Sequence, residues 1–288
     1  VDLLYYWEVG TDAFNYLMPF WKPARLQCIS WGWPVTSGNP RIDFMLSTKG
    51  LEPENGGEHY SEKVEWIDGP VTYYPRPTEY QPWESAVASR PKFKFSADER
   101  LYMCQQNLRK WHPEFDEVIR RILEEDEKGA LVCIGHTQET ITRKLLGRLK
   151  RHGIDVEKRV RVFPFLDRKD YLEVLRTCDV SLDTPHYGGG ANTIADAYAV
   201  GTPLVTISGK YHRGRFATAE HTSGGLPELI AATPDEYVAK VLEIGKNPEL
   251  RRSISERMSQ SYGELFESPR AVTALRETLL RLIQQEFS

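Results

Sequence analysis

One stretch constrains this chain more than any other. Val180 to Ser208 reads Val-Ser-Leu-Asp-Thr-Pro-His-Tyr-Gly-Gly-Gly-Ala-Asn-Thr-Ile-Ala-Asp-Ala-Tyr-Ala-Val-Gly-Thr-Pro-Leu-Val-Thr-Ile-Ser, which is strand, Gly-rich loop, helix, Gly turn and strand. Val180 to Leu182 is a short apolar strand that Pro185 stops. Gly188, Gly189 and Gly190 let the backbone take positive φ and come close to a ligand. Asn192 or Thr193 is expected to cap a helix that runs through Ile194, Ala195, Ala197 and Ala199 and closes at Gly201. Unpaired amides and the positive end of the helix dipole converge at such a start, which suits a diphosphate. Asp196, about one turn further on and on the same face as Asn192 and Thr193, can accept hydrogen bonds from a ribose. The plain alternative is a tight turn followed by a solvated Asp.

The 288 residues fit two moderate domains. Leu3 to Tyr6, Leu26 to Ser30, Ile42 to Ser47 and Val64 to Ile67 read as strands of half an α/β domain. Between two of them lies Trp31 to Gly38, a loop dense in Trp, Gly and Pro at a strand end, where ligand contacts or a packed turn are the two readings. Pro70 to Pro91, rich in Pro and Tyr with Pro75, Pro77 and Pro82, marks a connection. A complete α/β unit follows, with strands at Leu101 to Gln105, Ala130 to Ile134, Val160 to Phe165, Val180 to Leu182 and Leu204 to Ile207, and Leu226 to Ile230 as a short sixth. Helices at Glu114 to Glu125, Gln138 to His152 and Arg168 to Thr177 alternate with them, and Phe115, Val118, Ile119, Ile122 and Leu123 form one apolar stripe. This alternation specifies a parallel sheet covered on both faces. Helices are expected at Pro234 to Ile244, capped by Thr233, then at Pro248 to Leu265 and Pro269 to Glu286.

Charge and cysteine usage narrow the partners. Thirty-seven basic residues face 41 acidic ones, a net charge of −4, which points away from nucleic acid and anionic membranes. Cys28, Cys104, Cys133 and Cys178 are widely spaced without a Cys-x-x-Cys pair, so buried thiols of a reducing compartment are expected. No apolar run reaches the roughly 18 to 20 residues that a bilayer requires, and no signal peptide opens the chain. A cytoplasmic location follows as an expectation. The chain begins on a strand without an initiator Met, which suggests the C-terminal portion of something longer.

Ligands of parallel sheets bind beyond the carboxyl ends of the strands. Those ends carry Gln105 to Lys110, Gly135 and His136, Leu166 to Arg168, the Gly-rich loop, and Ser208 to Arg215. Lys110 could neutralise a phosphate there, or be a surface lysine. Tyr171 could lay its ring on a nucleobase, or belong to the core. Arg213 and Arg215 could bind phosphate or order their loop. His136, His186 and His212 show no metal-ligand spacing and no nucleophile order. Leu101 to Gln105 is not followed by G-x-G-x-x-G, which argues against hydride transfer.

With these residues in view, the chain resembles the C-terminal catalytic part of the O-GlcNAc transferase family, glycosyltransferase family 41, especially its bacterial members. The resemblance rests on Trp31-Gly32-Trp33-Pro34-Val35-Thr36-Ser37-Gly38, Glu58 to Lys63, Leu108 to Pro113, Val180 to Pro185, Gly188 to Pro203, Arg213-Gly214-Arg215, and Leu226 to Ala231. It implies a GT-B architecture of two Rossmann-like domains facing across a cleft: a C-terminal part of the first at 1–75, a connection at 76–95, the complete nucleotide-sugar domain at 96–265 and a C-terminal helix at 266–288. It further implies that Lys110 contacts the diphosphate as the catalytic residue. Asn107, Gly189, Gly190, Asn192, Thr193 and Arg215 would surround the nucleotide, Asp196 would hold the ribose, and Leu166, Arg168 and Tyr171 would flank the uracil. Gly32 and Pro34 would approach the transferred sugar and the acceptor.

Departures from the family are visible. Animal members carry His-Thr-Thr where Ala191-Asn192-Thr193 stands, and a glutamine where Asn107 stands. The family's catalytic histidines fall at or before the start of this chain, since the first His here is His59. Tetratricopeptide repeats would lie upstream, and no repeat of about 34 residues is visible here. The resemblance implies an inverting transfer of a sugar, N-acetylglucosamine in the family, from its UDP conjugate to Ser or Thr of a protein. No cofactor is implied besides the UDP-sugar substrate, and no metal is required, the chain having no Asp-x-Asp and only Asp183 beside the Gly-rich loop. Two alternatives stay open: another GT-B enzyme, either a glycan-building transferase or a UDP-sugar epimerase, and a nucleotide-binding module without turnover.

Overall fold

The structure, a computed structural model, describes residues 1–76 and 86–287. Pro77 and Pro82 of the expected connection lie outside the described residues. In chain order the elements are β1 (Leu3–Tyr6), α1 (Ala13–Leu17), β2 (Leu26–Ile29), β3 (Phe44–Ser47), β4 (Lys63–Trp66), β5 (Arg100–Cys104), α2 (Glu114–Glu125), β6 (Gly129–Ile134), α3 (Glu139–Arg151), α4 (Val156–Arg159), β7 (Val160–Phe163), α5 (Arg168–Thr177), β8 (Val180–Leu182), α6 (Gly190–Val200), β9 (Leu204–Ile207), α7 (Phe216–Ser223), β10 (Ile230–Ala231), α8 (Pro234–Lys246), α9 (Pro248–Gln260), α10 (Tyr262–Leu265) and α11 (Pro269–Phe287). They form two units. Each unit carries one sheet in which every pairing is parallel.

The first unit consists of Val1–Pro75, Lys210–Arg215 and Gly263–Ser288, so it follows packing and not chain order. Its sheet runs β1-β2-β3-β4. Alternation along the strands sends Leu26, Cys28 and Leu46 to one face, where Ala274 and Leu282 of α11 cover them together with Ile67. Ile29 and Met45 point to the other face, where they pack with Tyr6, Val9 and Ile42. A C-terminal helix thus closes a sheet whose strands come from the beginning of the chain.

The second unit, Arg76–Gly209 with Phe216–Tyr262, holds a six-stranded sheet in the order β10-β9-β8-β5-β6-β7. Its helices show why they form. All five residues of the α2 stripe, Phe115, Val118, Ile119, Ile122 and Leu123, are buried. Asp167 caps α5 by accepting from the Asp170 amide at 2.8 Å. Thr233 caps α8 by accepting from the Glu236 amide at 3.1 Å, while Glu236 reaches back to the Ala232 amide. Leu101, Met103, Ala130 and Val132 of the sheet pack against Leu172, Val174 and Leu175 of α5. Before β5, Arg90 lies in a 3₁₀ segment, Ala86–Phe93. Its buried guanidinium pairs with Asp179 at 2.8 Å and donates to the carbonyls of Thr177 and Glu99.

Two local expectations give way. The stretch expected as a short sixth strand is a 3₁₀ turn, Pro227–Leu229, that delivers only Ile230 and Ala231 to the sheet, because Pro227 has no amide to donate. The expected helix from Pro248 to Leu265 breaks at Ser261, whose amide closes a tight turn on Met258. All four cysteines are buried thiols. Burial pushes Cys28 and Cys133 up to about 12, so these sulfurs are inert hydrophobes near neutral pH.

Candidate active site

The strand order of the second unit reverses between β5 and β8. From β5 the chain winds outward through β6 and β7, and from β8 it winds the other way through β9 and β10. The loops leaving the carboxyl ends of two such neighbouring strands diverge, and the crevice between them is where open parallel sheets take ligands. Here those loops are residues 105–113, which carry Lys110, and residues 183–189, which carry the glycines.

Lys110 is placed by a short 3₁₀ helix, Leu108–Lys110. The Asn107 side chain caps it, accepting from the Arg109 amide at 3.0 Å. Buried Leu108 and Trp111 anchor both ends, and the Trp111 indole donates to the Gln106 carbonyl at 3.3 Å. Lys110 Nζ then lies 3.4 Å from the Gly188 carbonyl oxygen and 4.3 Å from the centroid of the Tyr187 ring. The ammonium is held by a carbonyl dipole and a π face, with the buried Asp183 carboxylate attracting it through space. Burial lowers the Lys110 pKa, an effect that Asp183 partly offsets. A partly desolvated cation of this kind gains more from an incoming anion than a hydrated one does.

Asp183 organises the glycines. One of its oxygens accepts from the Gly189 amide at 2.7 Å and the Thr184 amide at 3.1 Å, and the other accepts from the Thr206 hydroxyl at 2.7 Å. Burial raises its pKa while these donors pull it down. Gly189 has no room for a side chain: a Cβ there would lie 2.4 Å from Gln106 Nε2 and 2.4 Å from Thr193 Cβ. Gly190 follows at φ +66°, a left-handed conformation that opens α6.

The helix therefore starts earlier than Asn192, with Gly189 in the cap position. Asn192 and Thr193 stand in its first turn and do not cap it. The Thr193 hydroxyl accepts from Gln106 Nε2 and its carbonyl accepts from Gln105 Nε2, both at 3.2 Å. Asn192 is exposed and Thr193 is buried. Gly189 shapes the corner, but its amide is committed to the Asp183 carboxylate at 2.7 Å. The amides of the turn after it point out of the helix end.

Asp196 is buried one turn along α6. Its carboxylate takes Arg168 at 2.6 Å and the Tyr171 hydroxyl at 3.1 Å, so Arg168, Tyr171 and Asp196 converge from α5 and α6. Burial raises the Asp196 pKa, and Arg168 and Tyr171 work against that rise. Tyr171 and Leu166 both pack on the core cluster. For Tyr171 the core reading accounts for the ring, and the hydroxyl serves Asp196.

Arg215, Gly32 and Pro34 belong to the first unit. Arg215 is half-buried, with its pKa lowered by burial and Glu52 acting against that. The loop of Gly32 and Pro34 is a packed turn: Pro34 is buried, a Cβ on Gly32 would lie 2.3 Å from the Trp7 carbonyl oxygen, and the Trp31 indole donates to the Val71 carbonyl at 2.8 Å. Nearby, Glu62 gathers Thr36 and the Ser37 amide. Of the histidines, His136 accepts from the Gln138 amide ahead of α3, and His212 donates to buried Glu52 within the first unit.

Sequence reasoning places Gln105 and Gln106 at a strand end but assigns them no role, and it gives none to Tyr187. Gln105 bridges the Ser181 hydroxyl to the Thr193 carbonyl, and Tyr187 is the platform for Lys110. Only their position at strand ends, next to residues that were singled out, could have pointed to them.

The profile of Glycosyl transferase family 41 matches residues 76–273. A probable UDP-N-acetylglucosamine–peptide N-acetylglucosaminyltransferase SPINDLY of Hordeum vulgare is 29% identical over 248 residues, which is 83% of this chain and 25% of that protein. The chain thus spans about a quarter of the length of the curated relatives it matches. Among solved structures, a mutant O-GlcNAc transferase of Thermobaculum terrenum superposes with a TM-score of 0.83 at 21% identity, covering 99% of this chain and 53% of that one. Anabaena HepE in complex with UDP and glucose gives 0.63 at 12% identity, with 89% and 72% covered. These likenesses show the fold, that of the GT-B glycosyltransferases with parallel Rossmann-like sheets.

Proposed function

The chain belongs to glycosyltransferase family 41, and from that premise we propose that its full-length protein moves N-acetylglucosamine from UDP-N-acetylglucosamine to Ser or Thr hydroxyls of a protein acceptor. The observation that carries this reading is the position of Lys110, whose ammonium stands at the Gly-rich loop where the strand order reverses. Relatives of this chain are named as UDP-N-acetylglucosamine–peptide N-acetylglucosaminyltransferases.

In the reaction the acceptor oxygen bonds to the anomeric carbon of the sugar, and the bond from that carbon to the diphosphate breaks. The electron pair leaves on UDP, and the hydroxyl proton passes to a base or to water. The negative charge that develops on the departing diphosphate is the part of the reaction this unit is built to meet. Lys110 and the first turn of α6, at Gly190 and Asn192, lie ready before the charge forms, so little reorganisation is needed when it does. Asp196, held by Arg168 and Tyr171, accepts from the ribose, with Leu166 beside the base. Asn107 keeps the Lys110 turn in place, and Thr193 and Gly189 shape the corner.

No helix among the described residues is long and apolar enough to cross a membrane. A cytoplasmic enzyme with tetratricopeptide repeats upstream fits the buried thiols and the greater length of the relatives. Thermal-shift measurements with UDP, GDP and their sugar conjugates test the donor, since a ligand that binds only the native state raises its stability. UDP and UDP-N-acetylglucosamine are expected to stabilise the protein and GDP to have little effect. Donor turnover with and without an acceptor peptide tests the reaction. Turnover indifferent to peptide, or tight UDP binding with no turnover in the full-length protein, would overturn the proposal.

A further inference from the structure

Three side chains that the proposed transfer does not use meet on the surface of the second unit. His112 follows the Lys110 turn, Glu114 opens α2, and His186 sits in the Gly-rich loop, 74 residues beyond His112 in the chain. His186 Nε2 lies 2.7 Å from a Glu114 carboxylate oxygen, and His112 Nδ1 lies 3.7 Å from the same oxygen. The two imidazole rings are edge to face with centroids 4.7 Å apart. One nitrogen from each histidine and one oxygen from the glutamate all fall within 4.8 Å of one another.

We propose that His112, Glu114 and His186 form a binding site for a divalent transition-metal ion of the zinc type, which fastens the Gly-rich loop to the start of α2. Two imidazoles and one carboxylate are a donor set that zinc uses, and it leaves a fourth position for water. Bonds of about 2.0 Å in a tetrahedral shell place neighbouring ligand atoms about 3.3 Å apart, and the spacings here bracket that value. A modest rotation of exposed side chains brings all three onto one ion. A metal would take the place of the proton that His186 Nε2 shares with the Glu114 carboxylate, and at His112 Nδ1 it would replace only the long 3.4 Å contact from the Glu114 amide. All three residues are exposed, which leaves an entry path from solvent.

A simple ion pair between His186 and Glu114 is the competing account, and it does not explain why the His112 ring lies against His186. The backbone geometry also differs from that of a casual surface pair. His186 is held at φ +66°, a conformation that disfavours a residue with a side chain, and this turns its ring toward α2. The next residue, Tyr187, carries the Lys110 ammonium. An ion at this site would therefore steady the loop that places Lys110. Metal binding at these three residues does not depend on the donor being a UDP-sugar.

The test uses untagged protein dialysed against chelator and titrated with zinc chloride by calorimetry, with cobalt(II) as a spectroscopic probe. Saturable one-to-one binding is expected, with a rise in thermal midpoint and the visible absorption of four-coordinate cobalt. Each of His186→Asn and Glu114→Gln should weaken zinc binding by about tenfold or more, and both should abolish the thermal shift. Asn tolerates the left-handed backbone at residue 186, and Glu114 is exposed, so both variants should fold, which circular dichroism checks. Absence of saturable binding, or equal affinity in the wild-type protein and both variants, overturns the proposal. UDP binding measured on the same samples is a separate readout, so failure of the donor assignment and failure of the metal site can be told apart.

Discussion

The ammonium nitrogen of Lys110 stands 3.4 Å from the carbonyl oxygen of Gly188, bridging the loop that leaves β5 to the loop that leaves β8. This contact spans the point at which the sheet changes winding direction, so it exists only because two neighbouring parallel strands send their connections opposite ways. Lys110→Ala is expected to lower turnover by about 10²–10³-fold, the usual cost of removing one preorganised charge-stabilising group. The fold should be intact by circular dichroism, since Leu108 and Trp111 supply the packing of that turn. A pH profile adds a second check. Burial lowers the Lys110 pKa, so the ammonium is lost at lower pH than an ordinary lysine, and the alkaline limb of kcat/KM should begin below the usual range of about 10.4. Full activity in Lys110→Ala would remove the assignment.

Gly189 tests the shape of the corner without touching a charge. Its ideal Cβ would meet Gln106 and Thr193 at 2.4 Å, far inside contact distance. Gly189→Ala should destabilise the protein by about 1–3 kcal/mol through overpacking, and should weaken UDP binding by displacing the start of α6. Gly57→Ala, in a place where a Cβ meets nothing within 4 Å, serves as the control and should stay within about 0.5 kcal/mol of the wild type. Equal thermal midpoints for the two variants would mean that the loop yields freely.

Arg168 and Asp196 make the ribose assignment testable by pH. The Asp196 pKa is raised by burial and held back by Arg168 and Tyr171. With Arg168→Ala the restraint goes, the pKa climbs further, and the carboxylate protonates at higher pH. The acid limb of UDP affinity should therefore move up, while affinity on the plateau above it changes less. Asp196→Ala should weaken UDP binding by about 10–100-fold on the plateau, as expected for losing hydrogen bonds to a charged group, and by less below the acid limb, where the wild-type carboxylate is already protonated. Calorimetric Kd values from pH 4.5 to 8 decide this, and an acid limb that stays in place in Arg168→Ala argues against the carboxylate as the ribose ligand.

What could be read in advance was local in sequence. The α2 stripe, the Thr233 cap, the Gly201 stop of α6 and five core strands rest on periodicity and turn chemistry within about a dozen residues, and all five strands appear in the sheet. Lys110 and the glycines were legible because both follow strands of a parallel sheet. The start of α6 was misplaced because glycines are poor helix formers by propensity, whereas here Asp183 and Gln106 fix the turn through contacts 6 and 83 residues away. Gln105, Tyr187 and the His112–Glu114–His186 group were illegible for the same reason. Their partners are brought close by topology, and no spacing along the chain encodes it.

Glu52 in the first unit gives a stability prediction of defined sign. One of its oxygens receives the Ser47 hydroxyl, the Tyr60 hydroxyl and His212 Nδ1, each at 2.7 Å, and the group is buried. Burial pushes its pKa up, but the donors from His212, Tyr60 and Ser47 prevail and hold it below the ordinary glutamate value. A carboxyl whose folded pKa lies below its unfolded one contributes stability that is complete above the unfolded value of about 4.3 and is lost as pH falls through the folded value. Glu52→Gln keeps the shape but turns one oxygen into an amide and removes the charge, so it should cost about 2 kcal/mol near pH 7. The variant should also flatten the acid side of the stability curve, because the group that took up the proton is gone. Chemical denaturation at pH 7 and at pH 3.5 measures both effects. The gap between wild type and variant should shrink toward the lower pH, and a gap that stays constant would mean that the Glu52 charge contributes nothing and that the side chain acts by packing alone.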